Sequence, residues 1–268
     1  MSVGMETAEA GLLAQMTPIL LALADDGRAA VSLGGSRAKK LADASSDYDF
    51  RVYADRFKGP ELKRTDAWAA FESAWRDWEA RGFRIDGVWP REIASVDGKL
   101  AAWCAGKGEP VEYEWTIWGY HLPTDIAHQQ IVADPAGVLA GWKQLLATYP
   151  EPLREAVFER HLTILRYWRT DYHYRNKVER GDAIFLAGLT TRLLHSIMQV
   201  LFALNRTYFV GDGWNLRAAE GFELLPDDLA GRVGLILDPP SGEGRWASQY
   251  HDLMDLIDDV EGVVARGR

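Results

Sequence analysis

The chain has 268 residues, 47% hydrophobic and 26% charged, with a formal net charge of −9. That length suits one large domain or two small ones, and the composition excludes a disordered chain. The negative balance excludes a general polyanion-binding surface, and a single cysteine, Cys104, excludes an internal disulfide framework or a cysteine-rich metal site.

The opening run MSVGMETAEAGLLAQM has no Lys or Arg ahead of an apolar stretch, so a secretory signal is not expected. Leu12, Leu13, Met16, Ile19, Leu20 and Leu23 recur at helical spacing, which predicts a helix over 5–25 ending at Asp25-Asp26-Gly27-Arg28. AAVSLGG is a short β-like run, and SRAKKLADA is expected to start a helix at Ser36. In DYDFRVYA the residues Asp47, Asp49 and Arg51 alternate with Tyr48, Phe50 and Val52, the period of a half-buried strand. Residues 61–81 carry Trp68, Phe71, Trp75 and Trp78 as a helical stripe, expected to be core.

FRIDGVWP and KLAAWCAGKGEPVEYEWTIWGYH hold the next expected strands. Val111, Tyr113 and Trp115 fall on one side of the second, and Glu112, Glu114 and Thr116 on the other. After residue 123 strand signals stop, long helical patterns follow, and Pro123, Pro135, Pro150 and Pro152 cluster in the transition. A helix is expected over Leu153–Val178, apolar on one side and carrying Arg166, Arg169, His173 and Lys177 on the other. The stretch 183–204 is long enough to span a bilayer, but Arg192 and His195 near its middle favour a buried helix in a cytoplasmic protein. The polar stripe Arg192, His195, Ser196 and Gln199 on it is expected to be a satisfied buried network.

The chemistry concentrates in Leu33-Gly34-Gly35-Ser36-Arg37 and, ten residues on, Asp47-Tyr48-Asp49-Phe50. Two glycines let backbone approach a phosphate, and a Ser at a helix start offers a hydroxyl beside free N–H groups. Asp47 and Asp49, two apart on a strand, point to one face and repel unless a cation sits between them. Mg²⁺, held by a few carboxylates and substrate phosphates, is the expected ion. Residues 34–64 hold eight Lys/Arg against five Asp/Glu within an otherwise acidic chain, which suits a small anion rather than a long nucleic acid.

Gly34-Gly35-Ser36 followed by Asp47-Tyr48-Asp49 resembles the signature of the DNA polymerase β-like nucleotidyltransferase superfamily. The two-domain layout is similar to its kanamycin and lincosamide nucleotidyltransferases and to an uncharacterised bacterial branch. Arg180-Gly181-Asp182 and Phe202-Ala203-Leu204-Asn205-Arg206-Thr207-Tyr208-Phe209 are similar to that branch. The resemblance implies an α/β nucleotidyltransferase domain over 1–122, a mixed sheet flanked by helices, and an all-α helical-bundle domain over 123–268. It implies Mg²⁺-dependent transfer of a nucleoside monophosphate, AMP from ATP, to a hydroxyl of a small molecule such as an aminoglycoside-like antibiotic, with release of pyrophosphate.

By the same resemblance, Asp47 and Asp49 hold metal. Gly34, Gly35, Ser36 and Arg37 hold the β- and γ-phosphates, helped by Lys177 or Arg175 from the helical half. A third carboxylate from a neighbouring strand is required, and two stand open: Glu112, favoured as metal ligand and base, and Glu114. The expected partners are a nucleoside triphosphate and a small-molecule acceptor, with no membrane and no nucleic acid, the chain acting as monomer or homodimer. The alternatives are an antitoxin-type adenylyltransferase that modifies a protein and an idle nucleotide-binding sensor or scaffold.

Overall fold

The computed structural model describes residues 3–39, 43, 46–59 and 61–268. They form two compact units, one comprising the chain through Ala102 with Leu122–Thr148, the other Trp103–His121 with Tyr149–Arg268. A single crossing at 122 was the sequence expectation. The chain interleaves instead: the Trp103 and His121 rings meet at 5.4 Å within the second unit, while residues 122–148 return to complete the sheet of the first.

The first unit runs α1 (Val3–Leu21), β1 (Ala30–Leu33), α2 (Gly35–Ala38), β2 (Tyr48–Ala54), α3 (Asp66–Glu79), β3 (Ile85–Glu92), α4 (Ile93–Cys104), α5 (Leu122–His128), β4 (Gln130–Ala133) and α6 (Val138–Leu145). Its mixed sheet has the order β3-β2-β1-β4, with β1 antiparallel to both neighbours and β2 parallel to β3.

Period two sorts the strands onto two faces. Val31, Leu33, Tyr48, Phe50, Val52 and Ile85 face a core closed by Leu12, Met16 and Leu20 of α1 and by Trp68, Phe71 and Trp78 of α3. Burying each such large apolar side chain contributes about 1.5–3 kcal/mol, so the aromatic stripe of α3 is core, as its spacing predicts. Thr65 fixes where α3 begins, its hydroxyl accepting from the Trp68 N–H at 3.2 Å. The other face is polar: the Ser32 hydroxyl donates to Gln129 at 2.7 Å, and the Gln129 amide donates to the Tyr53 hydroxyl at 2.8 Å, all buried.

The helix expected from Ser36 is only a single turn, Gly35–Ala38, in the described residues; its continuation over 40–42 and 44 lies outside them.

The second unit is helical: α7 (Glu151–Thr170), α8 (Tyr172–Arg180), α9 (Ala183–Leu204), α10 (Asn215–Ala219), α11 (Leu229–Leu237) and α12 (Arg245–Gly267). The expected helix over 153–178 is broken at Asp171, which takes an extended conformation and caps α8 by accepting from the His173 N–H at 2.8 Å. Gly181, at φ 65°, stops α8, and Asp182 accepts from the Phe185 N–H at the start of α9. Arg180-Gly181-Asp182 is therefore a helix stop followed by a helix start.

By length and composition α9 is apolar enough to cross a membrane; here 61% of its most apolar window is buried inside the protein. The polar stripe on α9 divides. Arg192 is exposed, whereas His195, Ser196 and Gln199 join His121 and His161 in a network. His161 Nδ1 lies 3.2 Å from the Ser196 hydroxyl, and the Gln199 amide lies 3.0 Å from His195 Nε2 and 3.4 Å from His121 Nε2. Trp118 stacks on His195 at 4.4 Å.

Candidate functional site

The polar face of the first sheet gathers carboxylates. Asp47 immediately precedes β2, Asp49 lies within it and Asp86 is on the parallel neighbour β3. Ligand oxygens of the three lie within 4.8 Å of one another. Asp47, just ahead of β2, and Asp49 within it come together.

Asp86 reaches the same group through an irregularity. Tyr48 pairs with Ile85 but Phe50 pairs with Val88, so β3 carries one extra residue there. Gly87, at φ 94°, absorbs that bulge. Ile85 and Val88 both stay on the core side, and Asp86 turns toward the acids.

Glycine at 34 and 35 has a further cause beyond access for a phosphate. Gly34 donates its N–H to the Asp49 carbonyl at 2.8 Å, so the turn lies directly against the strand. A Cβ at Gly35 would fall inside the Asp49 carboxylate, and the φ of 65° there disfavours any other residue. A Cβ at Gly34 would stand 3.2 Å from both the Arg51 guanidinium and Asp125. Ser36, half-buried in the single turn that follows, continues this loop.

Arg37 is engaged by the backbone ahead of β2. Its Nε donates to the Asp47 carbonyl at 2.9 Å and its Nη2 to the Ser46 carbonyl at 2.7 Å, with the guanidinium 3.9 Å from the centre of the Tyr48 ring. It fixes the backbone that presents Asp47.

Arg51, which shares the face of Asp49, is the local counter-charge that the alternating strand already displays. Its Nη1 is 3.8 Å from Asp49, and its Nε bonds Asp125 of α5 at 3.3 Å. Arg91 of β3 bonds the same Asp125 oxygen at 3.2 Å. Asp125 thus occupies two guanidinium groups. Among the described residues, no donor hydrogen-bonds the Asp49 carboxylate. Burial raises its pKa to about 6; Arg51 opposes this, and Asp47, Asp86 and Asp125 add to it. Burial and Asp47 likewise raise Asp86. A half-buried carboxylate with like charges on both sides and no donor fits a hard cation, and Asp47, Asp49 and Asp86 supply the oxygens for one.

The other expected site residues fall in the second unit. Glu112 and Glu114 are exposed and do not stand on a strand. The apparent alternation belongs to a loop closed by one bridge, Val111 with Tyr120, in which Tyr113 and Trp115 stack on each other at 5.4 Å. Asp212 pins its end by accepting from the Ile117 and Trp118 N–H groups at 2.9 and 2.8 Å. Within the first unit the third carboxylate beside Asp47 and Asp49 is Asp86.

Lys177 of α8 is paired with Asp182 at 2.6 Å, and Arg175 on the same helix is exposed. The basic side of α7 is similarly neutralised, Arg166 by Glu261 and Arg169 by Asp258 of α12, each through two hydrogen bonds. Asp86 and Asp125 were missed because they join the group only through strand order and a distant helix. The acid-Gly pair in Ile85-Asp86-Gly87 was the available signal.

Residues 123–215 match a protein family described as a domain of unknown function (DUF4037). This segment contains Asp125 and Lys177 but neither the glycine pair nor the three clustered acids. Comparison with curated proteins gave no match.

Proposed function

We propose that the chain is a Mg²⁺-dependent nucleotidyltransferase that moves a nucleoside monophosphate, AMP from ATP, onto a hydroxyl of a small molecule. The observation that carries this reading is the convergence of Asp47, Asp49 and Asp86 beside a Gly34-Gly35 turn seated on Asp49. The likeness of that turn and acid pair to the DNA polymerase β-like superfamily supports it.

Asp47, Asp49 and Asp86 would hold the metal, which when bound neutralises triphosphate charge. The Gly34-Gly35-Ser36 turn offers backbone and a hydroxyl to the phosphates. Arg37 holds Asp47 in place through its carbonyl. Arg51 and Arg91, held by Asp125, offset part of the repulsion among the four carboxylates on the sheet face. Such a site works by positioning and by preorganised charge.

The test is pyrophosphate release from each of the four common nucleoside triphosphates against a panel of hydroxyl compounds, with wild type and Asp47→Asn. Release that needs Mg²⁺ and falls at least about a thousandfold in the variant supports the reading. Equal release by both proteins overturns it.

A further inference from the structure

Asp86 belongs to a second feature of the first unit. At the Asp86 end of the cluster lies a cavity of about 810 Å³ bounded by the turn Leu62–Arg64, by α3 and by β3. Its size is within the roughly 300–1,000 Å³ of small-molecule sites. Trp68 and Trp75 of α3 supply apolar walls, and Asp86 and Trp89 of β3 are part of its lining, the Trp89 ring lying under the Arg51 and Arg91 guanidiniums at 4.9 and 5.4 Å. The bulge that turns Asp86 toward the metal cluster also puts Gly87 here. Its missing side chain leaves Trp75 free to lie over the strand: a Cβ at Gly87 would already be 3.7 Å from that ring.

The charges of the lining balance. Glu61 pairs with Arg64, and the lining's other two charged groups are Lys63, 5.7 Å from the Trp68 ring centre, and Asp86. There is no surplus acid to draw in a polycation. Flat apolar walls with a carboxylate at one edge match a ring with apolar faces and a hydroxyl on its rim.

We propose that this cavity is the acceptor subsite, that it takes a neutral ring alcohol, and that Asp86 meets the hydroxyl that reacts. The proposal rests on the transferase reading above. In the step, the acceptor oxygen forms a bond to the α-phosphorus and its proton is released to solvent. The bond from the α-phosphorus to the bridging oxygen breaks, and pyrophosphate leaves with that electron pair.

Two sources share this chemistry, sugars and phenols, and the probes separate them. Methyl α-glucopyranoside, 4-methylphenol and the polycation kanamycin are titrated by calorimetry and tryptophan fluorescence, with Mg²⁺ and an ATP analogue that cannot react. The proteins are wild type, Leu62→Trp to fill the cavity, and Trp75→Leu to remove a wall. Either variant alone suffices if the other does not fold.

The expected result is that one neutral probe binds wild type and is weakened about tenfold or more by the variants. Binding of the Mg²⁺–nucleotide analogue should stay within about twofold, since the substitutions lie outside the cluster. The proposal is overturned if wild type binds the analogue but neither neutral probe, if the variants leave probe binding unchanged, or if kanamycin binds and the same variants weaken it. Failure of wild type to bind the analogue counts instead against the transferase reading. A neutral probe still sensitive to both variants would then support the cavity as a ring-binding site in its own right.

Discussion

Each unit gathers a cluster of polar side chains, and the two clusters have opposite chemistry. In the second unit burial lowers His121 to about 4 and His161 and His195 to about 3, so all three are neutral near pH 7. Their ring nitrogens meet Ser196 and Gln199, and the group closes on itself as part of a core. In the first unit Asp47, Asp49, Asp86 and Asp125 outnumber Arg51 and Arg91, and Asp49 is held at about 6. A cluster satisfied in its neutral form needs nothing from outside, whereas surplus charge is what the proposed cation would offset.

The comparison breaks first at the third carboxylate. Asp86→Asn is expected to cut transfer by about a thousandfold, while Glu112→Gln and Glu114→Gln stay within about threefold, because only Asp86 stands among the clustered acids. Steady-state pyrophosphate release measures all three, and the reverse order would return the role to the exposed loop. The next effect is conformational. Gly35→Ala places a methyl in the Asp49 carboxylate at a left-handed position, which should cost about 1–3 kcal/mol in urea unfolding and displace Asp49. Unchanged stability would mean the turn is not seated on that strand.

The smallest effect separates the units by pH. The folded histidines lie below the ordinary value of 6.5, so the stability they confer is present above about pH 6.5 and is lost as pH falls toward 4 and 3. Asp49 has the opposite sign: its folded value is raised, so its favourable contribution is full below 3.8 and is lost as pH rises through about 6. Urea unfolding without metal, between about pH 4 and pH 6.5, should therefore lose stability with falling pH less steeply in His195→Phe than in wild type, and more steeply in Asp49→Asn, where the opposing Asp49 contribution is gone. Identical profiles in wild type and both variants would mean that neither cluster titrates as its surroundings require.

Much of this site was legible in the chain because it is local. The alternation Tyr48-Asp49-Phe50-Arg51 sets face and neighbour, and the glycine pair marks a tight approach. What remained hidden depends on pairing. Nothing in Ile85-Asp86-Gly87-Val88 says that its strand runs parallel to β2 with one residue bulged, and nothing near Asp125 points to Arg51 seventy-four residues away. The alternation of residues 111–116 misled because stacking of Tyr113 on Trp115 within a loop gives the same period as a strand. At Asp171 the side chain competes with helix continuation by capping a new one, which a continuous apolar stripe does not reveal.

The most direct test of the central claim is calorimetric titration of ATP, with and without Mg²⁺, into wild type, Asp47→Asn and Asp86→Asn. The account predicts Mg²⁺-dependent binding to wild type that is lost in both variants, since Asp47 and Asp86 are proposed to hold one cation. Mg²⁺-dependent binding retained in Asp86→Asn but lost in Asp47→Asn would contradict the assignment of the third carboxylate. Binding indifferent to Mg²⁺ in all three proteins would contradict the metal centre itself.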